Sequence, residues 1–158
     1  MKKLIPFVVP LLFALMLIQD GAAIDHRPSC REAVHALNLQ LAEPINEVEL
    51  VAVLTSLNAS DNARLPENFT TKAHARKLGW RPGQPLWKYQ KLKGKSIGGD
   101  RFYDREKKLP AGRRVWREAD LDYQGGRRNA KRLLYSNDGL RYVTVDHYQT
   151  FTEVPSCR

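Results

Sequence analysis

The chain of 158 residues is long enough for one domain with its own core, and 26 lysines and arginines against 17 acidic residues give it a net charge of +9. Two cysteines allow a single intramolecular bridge, and no dense cluster of His, Cys, Asp or Glu at ligand spacing marks a metal centre. Internal repeats and low-complexity tracts are likewise missing from the sequence.

The first element reads as a leader. Lys2 and Lys3 precede an apolar run from Leu4 to Ile18, and the small residues Gly21, Ala22 and Ala23 follow, the order of a secretory signal peptide. The run contains Pro6 and Pro10 and is shorter than the roughly 20 residues of a membrane-spanning helix, which favours a leader over an anchor. Removal of residues 1–23 then yields a secreted protein, extracellular or periplasmic, with no stable membrane association. Its charge is uneven. Residues 24–61 hold two basic and six acidic side chains, whereas 62–158 hold 22 basic and ten acidic. Such a split points to a polyanion as ligand, nucleic acid first and an anionic surface second.

Residues 24–60 form a helical segment. In "REAVHALNLQLAE", Ala33, Val34, Leu37 and Leu41 recur at helical spacing until Pro44. "NEVELVAVLTSL" is a second helix with Asn46 as candidate N-cap, although its β-branched content leaves a strand open. "TTKAHARKLG" predicts a short helix with a threonine cap and Gly79 as terminator, and "QPLWKYQKL" a further helical turn. From Lys95 the pattern becomes strand-like. "SIGGDRF", "RVWREADLDY", "KRLLYS", "LRYVTV" and "YQTFTEV" read as five short strands, and "SNDGL" as a tight hairpin turn. The expected fold is α+β, with helices packed on one face of a five-stranded antiparallel sheet and the other face free to bind. Cys30 and Cys157 flank the mature chain, and chain termini often lie close together, so a disulfide between them is expected after export; two free thiols are the alternative.

Several side chains in the sheet half could carry chemistry. Alternation along "RVWREADLDY" puts Glu118 on one face with Trp116, Asp120 and Asp122, where it is either a structural ion-pair partner or a base. "GGRRNAKR" follows with four cations, Arg127, Arg128, Lys131 and Arg132, which suit a phosphodiester or simply a basic surface. His147 in "DHYQTF" serves packing or proton transfer, histidine being the residue type suited to giving and taking protons at working pH. A carboxylate base, an imidazole acid and a cation cluster meet the needs of RNA cleavage. The base takes the ribose 2′-OH proton, the cations stabilise the phosphorane-like transition state, and the acid protonates the leaving 5′-oxygen.

From about Leu65 to Glu153 the motifs "TK", "LGW", "GKSIGGD-F", "WREAD", "Y--G-RN", "R-LYS-D" and "DHYQTFT" stand in order, and on them the sequence resembles the barnase branch of the microbial guanyl-specific ribonucleases. The resemblance implies an α+β ribonuclease region over 61–158, forming one domain with 24–60. It implies Glu118 as general base, His147 as general acid, Lys72 as stabiliser of the transition state, and Arg128 and Arg132 as phosphate ligands. Phe102, Tyr103, Asp104, Arg105 and Glu106 would form the guanine-reading loop, with Tyr148 as a stacking platform. The implied activity is metal-independent, cofactor-free cleavage of single-stranded RNA 3′ of guanosine through a 2′,3′-cyclic phosphate. A small acidic inhibitor of the barstar type is the implied partner, and the enzyme would be a monomer. The alternative is a catalytically weak basic protein that binds RNA or another polyanion on the same sheet. The chain departs from the family at Tyr103-Asp104, where the pattern has Ser-Asn, and at Arg127, where it has an aromatic. Aspartate accepts a left-handed backbone nearly as asparagine does, so the loop shape is expected to persist. The stretch from Ile24 to Pro44 has no counterpart, and His26, His35 and His74 are read as surface residues.

Overall fold

Ser29 opens the first helix. Its side chain accepts the Glu32 amide and the Glu32 carboxylate accepts the Ser29 amide, a reciprocal cap that satisfies two otherwise orphaned donors. The structure, a computed structural model, describes residues 25–158, so the leader expected over 1–23 lies outside the described residues. Helix α1 spans Cys30–Asn38 and α2 spans Glu47–Asn58. Each buries one stripe at helical spacing, Cys30, Ala33, Val34 and Leu37 in α1, and Leu50, Val53, Leu54 and Leu57 in α2. Helix α1 stops well before Pro44 because the Asn38 amide group bonds both the carbonyl and the N–H of Ile45 and turns the chain. Asn46 caps α2 by accepting the Glu49 amide, which settles the helix-or-strand alternative there.

The short helix α3, Lys72–Lys77, starts from a Thr71 cap, and two 3₁₀ turns follow at Leu86–Lys88 and Gln90–Leu92. Six strands then build one sheet in sequence order: β1 Phe69–Thr70, β2 Ser96–Arg101, β3 Trp116–Asp120, β4 Arg132–Ser136, β5 Arg141–Thr144 and β6 Thr152–Glu153. All neighbours are antiparallel except β1 and β2, which run parallel. The architecture is the expected α+β with one strand more than the five foreseen. β1 has two residues, too few for any alternation to show in the sequence. The predicted strand over "YQTFTEV" shrinks to Thr152–Glu153, because the Asp146 carboxylate captures the amides of Gln149 and Thr150 and holds them in a turn.

The main core lies between the two long helices and the sheet, where α1 and α2 meet Ala119, Leu121, Leu133, Tyr135 and Val143. A second cluster under α3 and the 3₁₀ turns joins Trp80, Leu86, Leu92, Ile97 and Tyr123. The third cluster, on the face opposite the long helices, packs Trp116 and Leu134 beneath Phe102, Tyr148 and Phe151. Cys30 and Cys157 form a disulfide with their Cα atoms 4.8 Å apart, tying α1 to the C-terminal segment. Gly98 is dictated by a close approach, since a Cβ there would stand 2.6 Å from Phe69 and 2.8 Å from Leu65.

Candidate active site

Glu118 sits in the middle of β3, pairing across to Leu134 on β4 and to Asp100 on β2. The double glycine before Asp100 makes an irregularity in the β2–β3 ladder, and Gly99 takes a φ of +91°, which side-chain-bearing residues avoid. Asp100 Oδ2 then accepts the backbone N–H of Lys72 at 2.8 Å, which fixes the start of α3 over the sheet. From there Lys72 Nζ reaches Glu118 Oε1 at 2.5 Å. The other carboxylate oxygen, Oε2, accepts the Tyr148 hydroxyl at 2.6 Å. Glu118 is only 6 % exposed. Burial opposes its ionisation, but hydrogen bonds from Lys72 and Tyr148, with the charges of Lys72 and Arg128, outweigh that and hold the carboxyl below its ordinary value. It is therefore a carboxylate at neutral pH.

Two residues along the strand, Asp120 is 2 % exposed and organises the arginines. Arg128 grips it with both ends of its fork, Nε to Oδ2 at 2.5 Å and a terminal nitrogen to Oδ1 at 2.6 Å. This pairing, above all, raises the Arg128 pKa beyond its ordinary value. Arg132 Nε lies 3.0 Å from Asp120 Oδ1, an ion pair whose angle does not make a hydrogen bond. Another nitrogen of Arg132 donates to Asn129 and to the Lys131 carbonyl. Both guanidiniums are thus anchored on Asp120 beside a cleft of about 660 Å³, lined among others by Lys72, Arg76, Arg127, Arg128, Arg132 and His147.

His147 and Tyr148 occupy consecutive left-handed backbone conformations, φ 57° and 70°, an arrangement that costs free energy and persists only where the surroundings enforce it. Asp146 supplies the enforcement. Burial works against its charge, yet donors from Thr150, Thr144 and Gln149 bring its pKa down to about 2. The Thr144 hydroxyl also accepts the Tyr148 amide, and the His147 amide donates to Ala130. The exposed His147 ring ends 4.9 Å, centroid to centroid, from that of Tyr148. Burial and the neighbouring Glu118 charge push the Tyr148 phenol above its ordinary pKa, so it remains a donor. Its ring stacks on Phe102 at 5.3 Å.

That stack leads to a smaller hollow of about 190 Å³, bordered by Phe102, Tyr103, Asp104, Arg105, Glu106 and Tyr148. Glu106 is exposed, with 71 % of its side chain accessible, and pairs with Lys108 at 2.6 Å. In this loop Lys107, and not Asp104, takes a left-handed backbone, with φ 54°. Asp104 instead turns inward and accepts the amides of Lys108 and Leu109, closing the loop by its side chain. Tyr148, the expected stacking platform, has one face against Phe102 and its hydroxyl on Glu118.

Residues 54–155 match the ribonuclease family. The chain belongs to that family. Among its relatives are proteins named ribonuclease from Bacillus intermedius and Bacillus pumilus, each 52 % identical over 92 residues, which are 58 % of this chain and 56 % of the relative. A ribonuclease of Heyndrickxia coagulans is 51 % identical over 92 residues, 84 % of that protein. The alignment thus spans little more than half the length of the two Bacillus relatives.

Against this family background, the structure brings Lys72, Glu118, Arg128, Arg132, His147 and Tyr148 around one cleft through contacts from four separate chain segments. Three carboxylates that support them, Asp100, Asp120 and Asp146, were not singled out in the sequence. Only Asp120 had a signal there, sharing the strand face of Glu118 within "WREAD".

Proposed function

We propose that this protein is an endoribonuclease that cleaves single-stranded RNA on the 3′ side of guanosine through a 2′,3′-cyclic phosphate, without a metal. The observation that carries the reading is a buried carboxylate, Glu118, held ionised between Lys72 and Tyr148 at the edge of a cationic cleft that also contains His147. Glu118 takes the 2′-OH proton. As its charge is neutralised, Lys72 turns its field toward the phosphate. Arg128 and Arg132, anchored on Asp120, bind the non-bridging oxygens at no further ordering cost. His147, exposed at the cleft edge, protonates the departing 5′-oxygen. Hydrolysis of the cyclic phosphate follows with the two residues exchanging roles. The requirement for a 2′-OH excludes DNA as substrate.

Guanine preference rests on the Phe102–Glu106 loop, where a carboxylate at Glu106 would accept from guanine N1–H and N2–H₂ together once it leaves Lys108. The protein acts as a monomer outside the cytoplasm. A small acidic inhibitor of the barstar type fits the same cleft, because opposite charge speeds encounter; absence of binding at low salt would count against that partner. The central test is cleavage of an RNA containing a single guanosine in excess EDTA. The expected product ends in a cyclic phosphate, and Glu118→Ala and His147→Ala each lower kcat/KM by at least about 100-fold. Intact RNA with the wild type overturns the enzymatic reading, whereas loss of cleavage only on adding EDTA overturns the metal-free mechanism alone.

A further inference from the structure

The Phe102–Arg105 strip borders a second hollow of about 500 Å³, distinct from the small base pocket, whose remaining wall includes Arg101, Lys107, Arg114 and Trp116. Tyr103 is 63 % exposed, unusual for a large aromatic in this molecule. Its ring is backed by Arg101, whose guanidinium carbon lies 5.0 Å from the ring centroid. Arg101, Arg105 and Lys107 have no acidic partner among the described residues, and the acids nearby are already engaged. Asp104 is spent on backbone amides, Glu106 on Lys108, and Asp138 on Arg114 at 2.6 Å. A solvent-facing ring above one cation and beside two more is the composition of a single-strand stacking platform, in which rings take bases and cations take phosphates.

We propose that this hollow binds the RNA nucleotide on the 5′ side of the guanosine, with its base on Tyr103 and its phosphate among Arg101, Arg105 and Lys107. The inference rests on the function proposed above for the order of subsites. The cleft with Lys72, Arg128, Arg132 and His147 takes the scissile phosphate, and the small hollow bordered by the Phe102–Glu106 loop and Tyr148 takes the base before it. A groove that continues from that pocket through Tyr103, and shares no lining residue with the phosphate cleft, receives the chain upstream.

The test compares GpA with its 5′-extended form ApGpA and its 3′-extended form GpApA, in the full exported chain. The wild type should gain roughly ten-fold in kcat/KM on 5′ extension, a fair yield for one stacked base. Tyr103→Ser and Arg101→Gln should bring that ratio close to one, Tyr103→Phe should keep it, and the effect of 3′ extension should be the same in all four proteins. The same ratios are read as Kd from anisotropy with 2′-deoxyguanosine versions that cannot be cleaved. No 5′ gain in the wild type, or an equal gain in Tyr103→Ser, overturns the subsite. A Kd gain that depends on Tyr103, with no cleavage of any RNA, supports the subsite while the proposed activity fails.

Discussion

The hydroxyl of Tyr148 donates to Glu118 Oε2 at 2.6 Å while its ring stacks on Phe102. One side chain therefore connects the proposed base with the pocket that would hold the guanine, so occupancy of the pocket and basicity of Glu118 are linked. Replacing Tyr148 with Phe keeps the stack and deletes the donor. A carboxylate that loses a hydrogen bond to its charged form becomes harder to ionise, so the acid limb of kcat/KM should move to higher pH. A pH profile superimposable on the wild type would refute the link.

Lys72 offers a larger effect on both rate and stability. Lys72→Gln removes a charge from the transition state, and kcat/KM should fall about 100- to 1,000-fold. It also leaves a buried carboxylate facing Tyr148 alone. In the wild type the Glu118 carboxyl is depressed below its ordinary 4.5, so its contribution to stability is full above that pH and disappears as the pH falls through the folded value. Urea melts should accordingly separate the two proteins most above pH 4.5 and bring them together in acid. A gap that widens on acidification would contradict the assignment.

Asp120 holds two guanidiniums, and Arg132 is itself only 2 % exposed. Breaking such a buried cluster by neutralising one member strands the opposite charges. Asp120→Asn should cost about 3–5 kcal/mol in unfolding free energy, and weaken phosphate binding because Arg128 is no longer oriented. Chemical denaturation gives the first quantity and titration with inorganic phosphate the second. Retention of both would mean that the arginines are positioned by something other than Asp120.

The disulfide closes a loop of 127 residues between α1 and the chain end. The double variant Cys30→Ser/Cys157→Ser should lose about 2–5 kcal/mol of stability. Lys72, Glu118, Arg128, Arg132 and His147 all lie outside the junction, whose other bonds include those from Cys30 to the Arg158 carbonyl, from Arg158 to the Pro28 and Arg27 carbonyls, and from Asn58 to the Cys157 carbonyl. Below its lowered melting temperature the variant should therefore cleave RNA at the wild-type rate. An unchanged melting temperature would show the bridge to be dispensable.

The sequence by itself determined the apolar stripe of α1, the α+β class, the strand face shared by Glu118 and Asp120, and the motifs that disclose the family. These depend on spacing of 3.6 or two residues along one chain segment, or on short strings, and so are visible without a third dimension. The two-residue β1 had no period to reveal it, and the turn after Asp146 overruled a run of residues well suited to a strand. What only the tertiary structure decided is which charges meet. Lys72 and Glu118 are 46 positions apart, and Tyr148 and Glu118 are 30 apart. Their pairing depends on Asp100 tying α3 to the sheet and on Asp146 enforcing two left-handed residues. Hydrogen bonds act over about 3 Å whatever the separation in the chain, so the state of the carboxylate follows from the folding of distant segments onto β3.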